Sequence, residues 1–118
     1  MSLYTTVGIP ATNVYTVTAS STKADVTTDA KSTIYSVHIS NTTAATAYLQ
    51  VFDLQSGSVT VGSTAPTYAF GVPAGGVANL HFGRPIEHST GFTIASTTTR
   101  TGSSTAAQEV TIIYTHSA

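Results

Sequence analysis

The chain has 118 residues, of which 41% are hydrophobic and only 8% charged, with a net charge of −1 and no cysteine. That length suits one domain with one real core, and the composition excludes collagen-like and highly charged disordered classes. Four scattered cations (Lys23, Lys31, Arg84 and Arg100) make no basic patch for nucleic-acid phosphates, and the missing thiols remove disulfide scaffolds, thiolate zinc sites and cysteine nucleophiles.

Residues 1–12 contain Gly8 and Pro10 and carry no period; they read as an extended N-terminal arm. The arm has neither the basic start nor the apolar run of a secretory leader, and no segment reaches the ~20 apolar residues of a membrane span. Synthesis in a cytoplasm, with no membrane partner, is the expectation. Residues 13–118 read as a single β domain. Residues 13–19 alternate Val14, Thr16 and Thr18 with Tyr15, Val17 and Ala19, the period of a strand. A loop over 20–31 has room for a short strand at 24–27.

Residues 32–40 form the clearest strand, with Tyr35, Val37 and Ile39 predicted on one face and Ile34, Ser36 and His38 on the other. After a turn at Asn41-Thr42-Thr43 comes a strand over 46–54. The short connection predicts that these two strands pair antiparallel. Val59 and Val61 suggest a short strand, and 67–72 another. Pro73-Ala74-Gly75-Gly76 is a turn, with proline fixing φ and glycine allowing φ > 0. Strands follow over 77–82, 91–98 and 109–115, with a loop or short strand over 83–89 holding Ile86 and a polar loop over 99–107. The total is about eight strands cut by short turns, the pattern of an all-β antiparallel sandwich, jelly-roll or immunoglobulin-like.

Serine and threonine make up roughly a third of the chain and replace the usual charges. Threonine favours strands, and its hydroxyl meets a neighbour without the desolvation cost of an ion. Such a surface suits packing against other proteins, and equally a secreted β domain with an uncharged exterior.

Candidate chemistry is sparse. His38 and His81 fall on two predicted strands where they could meet around a metal, but the spacing matches no ligand motif. Glu87-His88-Ser89 has the residue types of a hydrolase relay; adjacent residues of an extended segment point to opposite sides, and no GxSxG elbow is present. The acids Asp25, Asp29, Asp53, Glu87 and Glu109 are dispersed. The glycines between Gly71 and Gly76 precede neither a lysine nor a helix, so they make no phosphate loop. The chain is therefore expected to be no enzyme and to carry no cofactor or metal.

Residues 32–54 (STIYSVHISNTTAATAYLQVFDL), 72–76 (VPAGG) and 82–98 (FGRPIEHSTGFTIASTT) resemble small structural proteins of tailed bacteriophages. In those proteins a strand ending in "SN" is followed by one reading roughly "AYLQVFD", then by "PAG" and "STG" turns. The resemblance spans about two-thirds of the chain. It implies a virion component: a capsid decoration (cement) protein that binds the major capsid protein and forms homo-oligomers, expected as trimers, with a neck, tail or fibre-associated subunit as the alternative. Leu3, Tyr4, Val7 and Ile9 of the arm are the expected assembly contacts, through strand addition to a neighbour's sheet edge. A third reading is a carbohydrate-binding module using Tyr48, Tyr68 or Tyr114 as platforms.

Overall fold

A computed structural model describes residues 12–117. Eight strands are present: β1 (Asn13–Ala19), β2 (Ala24–Thr27), β3 (Lys31–Asn41), β4 (Ala47–Phe52), β5 (Tyr68–Val72), β6 (Val77–His88), β7 (Phe92–Thr97) and β8 (Gln108–Ser117). They form two four-stranded antiparallel sheets, β1-β8-β3-β6 (sheet 1) and β2-β7-β4-β5 (sheet 2). The pairing is nested: β1 with β8, β2 with β7, β3 with β6, and β4 with β5. Each strand thus lies in the opposite sheet from its predecessor up to β4, and again from β5 to β8. This is the jelly-roll order, which decides between the two sandwich types expected.

The core lies between the sheets. Ile34, Val37 and Ile39 of β3 meet Leu49 and Val51 of β4, Phe92 and Ile94 of β7, and Val110 and Ile112 of β8, all almost fully buried. Each such side chain is worth roughly 1.5–3 kcal/mol relative to exposure, so these residues carry most of the fold's stability. Alternation along β8 is strict: Gln108, Val110, Ile112 and Tyr114 point in, while Glu109, Thr111, Ile113 and Thr115 do not.

Three sequence expectations need correction. First, β3 and β4 do not pair with each other. β3 lies between β8 and β6, and β4 lies between β7 and β5. The connection is a corner between sheets rather than a hairpin turn, because Asn41 holds it from inside. Its Nδ2 donates to the carbonyls of Ala45 (2.9 Å), Val72 (3.0 Å) and Pro73 (3.0 Å), while its Oδ1 accepts from the Thr43 backbone N–H (2.9 Å) and hydroxyl (2.6 Å). Second, a bulge between Ile34 and Ser36 shifts the register of β3 against both neighbours. Against β8 the extra residue is Tyr35, while against β6 the extra residues are 82–85 of β6 itself; Tyr35 is exposed, and Ile34 joins Val37 and Ile39 in the core. Third, Val59 and Val61 form no strand. A single 3-10 turn at Ser56–Ser58 delivers Val59 to the outer side of sheet 2, where it is buried.

The predicted turn at 73–76 is present. The Gly76 N–H donates to the Pro73 carbonyl (2.9 Å), and Gly75 has φ +66°. The Gly75 N–H reaches the Thr43 carbonyl, and the Asn41 N–H reaches the Gly76 carbonyl. This turn and the Asn41 corner therefore form one hydrogen-bonded unit.

Asn41 is 1% exposed, so its replacement leaves buried carbonyls without a donor. Asn41→Ala is expected to lower unfolding free energy by about 2–4 kcal/mol. Asn41→Asp, which cannot donate, should cost a comparable amount, and Ser40→Ala less than about 0.5 kcal/mol. Urea denaturation of the three variants measures these differences.

Candidate interaction face

The two sheets differ in what covers their outer faces. Sheet 2 is sealed by the chain's own loops. Phe52 and Ala95, on its outer side, pack under Val59, with Leu54 and Val61 beside them. Gln50, fully buried, donates from Nε2 to the Thr97 hydroxyl (2.7 Å) and the Gly102 carbonyl (2.9 Å), fastening the 98–107 loop over the sheet. Asp25 fixes the other loop: its carboxylate accepts from the Ser56 N–H (3.1 Å), the Ser56 hydroxyl (2.7 Å) and the Thr93 hydroxyl (3.2 Å). This double cover explains why every residue of β7 is buried, whichever way it points.

Sheet 1 has no such cover among the described residues. Its register places side chains in three rows across the outer face: Val14, Ile113, Ser36, His81; then Thr16, Thr111, His38, Asn79; then Thr18, Glu109, Ser40, Val77. None of these residues is buried, and Val14 and Val77 are 65% and 56% exposed. Glu109 is the one formal charge in the rows, and it accepts from the Thr18 hydroxyl at 3.1 Å. Lys31 and Glu87 lie beyond the rows at one end. The three rows are thus an array of hydroxyl, amide, imidazole and aliphatic groups around one carboxylate, with exposed Arg84 outside them on β6 between His81 and Glu87. This array can be desolvated by a partner at little electrostatic cost, because almost no ion has to be stripped of water.

His38 and His81 share this face on adjacent strands, as the sequence suggested they could. His38 Nδ1–H donates to the Asn79 side-chain oxygen, its cross-strand partner, and His81 stands opposite Ser36. Among the described residues, no three His, Asp or Glu side chains gather where a metal could bind.

The end of the sandwich near β6 and β7 carries a buried polar chain. His88 is 3% exposed; its Nδ1 lies 3.0 Å from the Gly91 carbonyl and its Nε2 lies 2.8 Å from the Tyr68 hydroxyl. The carbonyl can only accept, so Nδ1 carries the proton and Nε2 accepts from Tyr68. Both nitrogens are committed, so His88 has none left for Ser89, and Glu87 is exposed on the neighbouring pleat position. The Glu87-His88-Ser89 run is therefore not assembled as a catalytic relay.

Asp53 organises the turn after β6. One carboxylate oxygen accepts from the N–H groups of Ser89 (3.1 Å), Thr90 (2.9 Å) and Gly91 (3.1 Å). Burial alone would raise the Asp53 pKa; these three donors outweigh it and hold it below the ordinary value. Gly91 must be glycine here, since a Cβ would stand 2.3 Å from the Leu54 carbonyl carbon. Beside this cluster a recess of about 640 Å³ is lined mainly by hydroxyl-bearing and charged side chains, among them Lys31, Ser32, Thr33, Glu87 and His116. His116 pairs with Asp29.

The remaining sequence candidates are placed as follows. Tyr68 is occupied by His88, Tyr114 is 7% exposed and donates to the Val26 carbonyl (3.2 Å), and the Tyr48 ring lies against Gly71 across the strand pair. Tyr68 and Tyr114 are thus engaged within the fold, and Tyr48 is half-buried. Leu3, Tyr4, Val7 and Ile9 lie outside the described residues. The loop-fixing roles of Asn41, Gln50, Asp25 and Asp53 escaped the sequence reading, because a lone polar residue in or beside a strand carries no signal for the distant backbone groups it bonds. No family model, no curated protein and no solved structure matches the chain.

Burial lowers the His88 pKa below its ordinary 6.5; the Asp53 charge and the Gly91 contact oppose this without cancelling it. A histidine whose folded pKa is depressed binds its proton more readily when unfolded, so its contribution is full above 6.5 and is lost as pH falls through the folded pKa. Thermal unfolding of the wild type should therefore weaken as pH drops below 6.5. A His88→Gln variant, less stable at neutral pH, should show a shallower slope over that interval.

Proposed function

We propose that this chain is a virion structural protein, a decoration protein that docks on the shell of a tailed phage and stabilises it. The observation that carries the reading is the asymmetry of the sandwich. One outer face is closed by loops tied down through Gln50 and Asp25; the other presents three rows with a single carboxylate, left bare among the described residues. A shell-binding protein needs such a face, broad enough to lie on neighbouring subunits and cheap to desolvate. Charged residues are depleted at the centres of protein–protein interfaces, which fits a face with one carboxylate in three rows.

The resemblance of residues 32–54, 72–76 and 82–98 to phage structural proteins points the same way. So does the use of the acids. Asp25 and Asp53 hold loops, Asp29 pairs with His116, and Glu109 accepts from Thr18, so four of the five carboxylates have intramolecular partners. In this reading sheet 1 faces the shell, and the loop-covered sheet 2 faces outward.

The test uses shells assembled from the major capsid protein of the particle that carries this chain. Thr111 and Ile113 sit at the centre of the bare face and are half-exposed, so a Thr111→Glu/Ile113→Lys double variant is expected to fold with a stability change of about 1 kcal/mol or less. It should fail to co-sediment with shells that bind the wild type. Undiminished co-sedimentation of the folded double variant would contradict docking through sheet 1.

A further inference from the structure

We infer that β1 is a self-pairing edge, through which two copies of this chain join sheet 1 to sheet 1 about a two-fold axis at Thr16. The sandwich has four edge strands, and three are guarded. β2 is four residues long and bulged next to Asp25. β5 has five residues and runs out at Val72, directly before Pro73. β6 carries Gly83-Arg84-Pro85 in its middle, where its register against β3 breaks. Proline, charge, short length and bulges are the devices that keep edges from pairing. β1 has none of them. Its seven residues, Asn13-Val14-Tyr15-Thr16-Val17-Thr18-Ala19, contain no charge, proline or glycine. They pair with β8 without a register shift, and among the described residues nothing pairs with the other side of the strand.

The register of the second copy follows from the pleat. Inward side chains must meet inward ones, so a shift of one residue is excluded, and a shift of two shortens the ladder. The full-length antiparallel pairing places Thr16 opposite its own copy, Tyr15 opposite Val17 of the other copy, and Val14 opposite Thr18. Tyr15 and Val17 are only half-buried, resting on the rim of the core. The aromatic–β-branched pair would close that rim, and such pairs stabilise sheets. No like charges oppose each other anywhere along the ladder. An antiparallel self-pairing is isologous, so it closes at two copies and yields a dimer in place of the expected trimer. The product is an eight-stranded sheet that doubles the bare face. The inference stands on the edge geometry and does not depend on shell binding.

The chain has no cysteine, which makes the register directly testable in the full-length protein. Analytical ultracentrifugation should find the wild type as a concentration-dependent dimer. Thr16→Lys puts two ammonium groups face to face at the axis and should give a folded monomer. Under mild oxidation, Thr16→Cys should form a disulfide-linked dimer, while Val14→Cys, whose copies stand far apart along the ladder, should not. A monomeric or trimeric wild type, a Thr16→Lys variant that still dimerises, or equal cross-linking at the two positions would overturn the inference.

Discussion

The carboxamide of Asn41 does the work on which the architecture depends. It sits where β3 ends and satisfies carbonyls from the β3–β4 connection and from the end of β5 in the same few ångströms. A hairpin at this point would have kept β3 and β4 in one sheet. The corner sends β4 to the other sheet, and the nested order of the whole roll follows: once β3 and β4 lie in opposite sheets, β5 returns beside β4 and β6 beside β3. Asn41 suits this role because it offers two N–H donors and an acceptor oxygen on one short side chain, whereas an aspartate has no donor and a serine only one.

The same economy of polar groups runs through the molecule. Two of its few carboxylates fix the chain's own loops. Asp53 binds three successive backbone N–H groups, and Asp25 binds Ser56 and Thr93. Amides and hydroxyls do what ion pairs do elsewhere: Gln50 anchors the 98–107 loop, and the Ser96 hydroxyl and Gln108 Nε2 link β7 to β8. What remains for the three rows of sheet 1 is threonine, serine, histidine, asparagine and a few aliphatic side chains around one carboxylate, Glu109. A surface of that kind gives up its water cheaply, and this connects the composition to the proposed role in assembly.

How much of this was legible in the sequence depends on the range of each interaction. The strands were visible because their period of two is local: β1 and β8 fall close to where alternation placed them, and β2 fills the short stretch that the 20–31 loop left for it. The turn at 73–76 was visible because proline and glycine state their dihedral preferences directly. The partners of the strands were not visible: β1 pairs with β8 and β3 with both β8 and β6, and nothing in a single strand names its neighbour. Tyr35 misled because a bulge breaks the alternation without changing composition. Val59 misled because a valine covering the outside of a sheet and a valine within a strand have the same neighbours in sequence. His38 and His81 were correctly placed on strands, but only the register put them on one face. The bare face itself could not be read at all, since it exists through what the loops of sheet 2 do and no loop of sheet 1 does among the described residues.

The central claim is that the uncovered face of sheet 1 is the docking face. An electron-microscopy map of the particle that carries this chain tests it most directly. The account predicts the jelly roll on the shell, with the rows centred on Thr111 and Ile113 against the major capsid protein and the loops over sheet 2 turned to solvent. A map with those loops on the shell and sheet 1 in solvent, or with the chain absent from the shell, would contradict it.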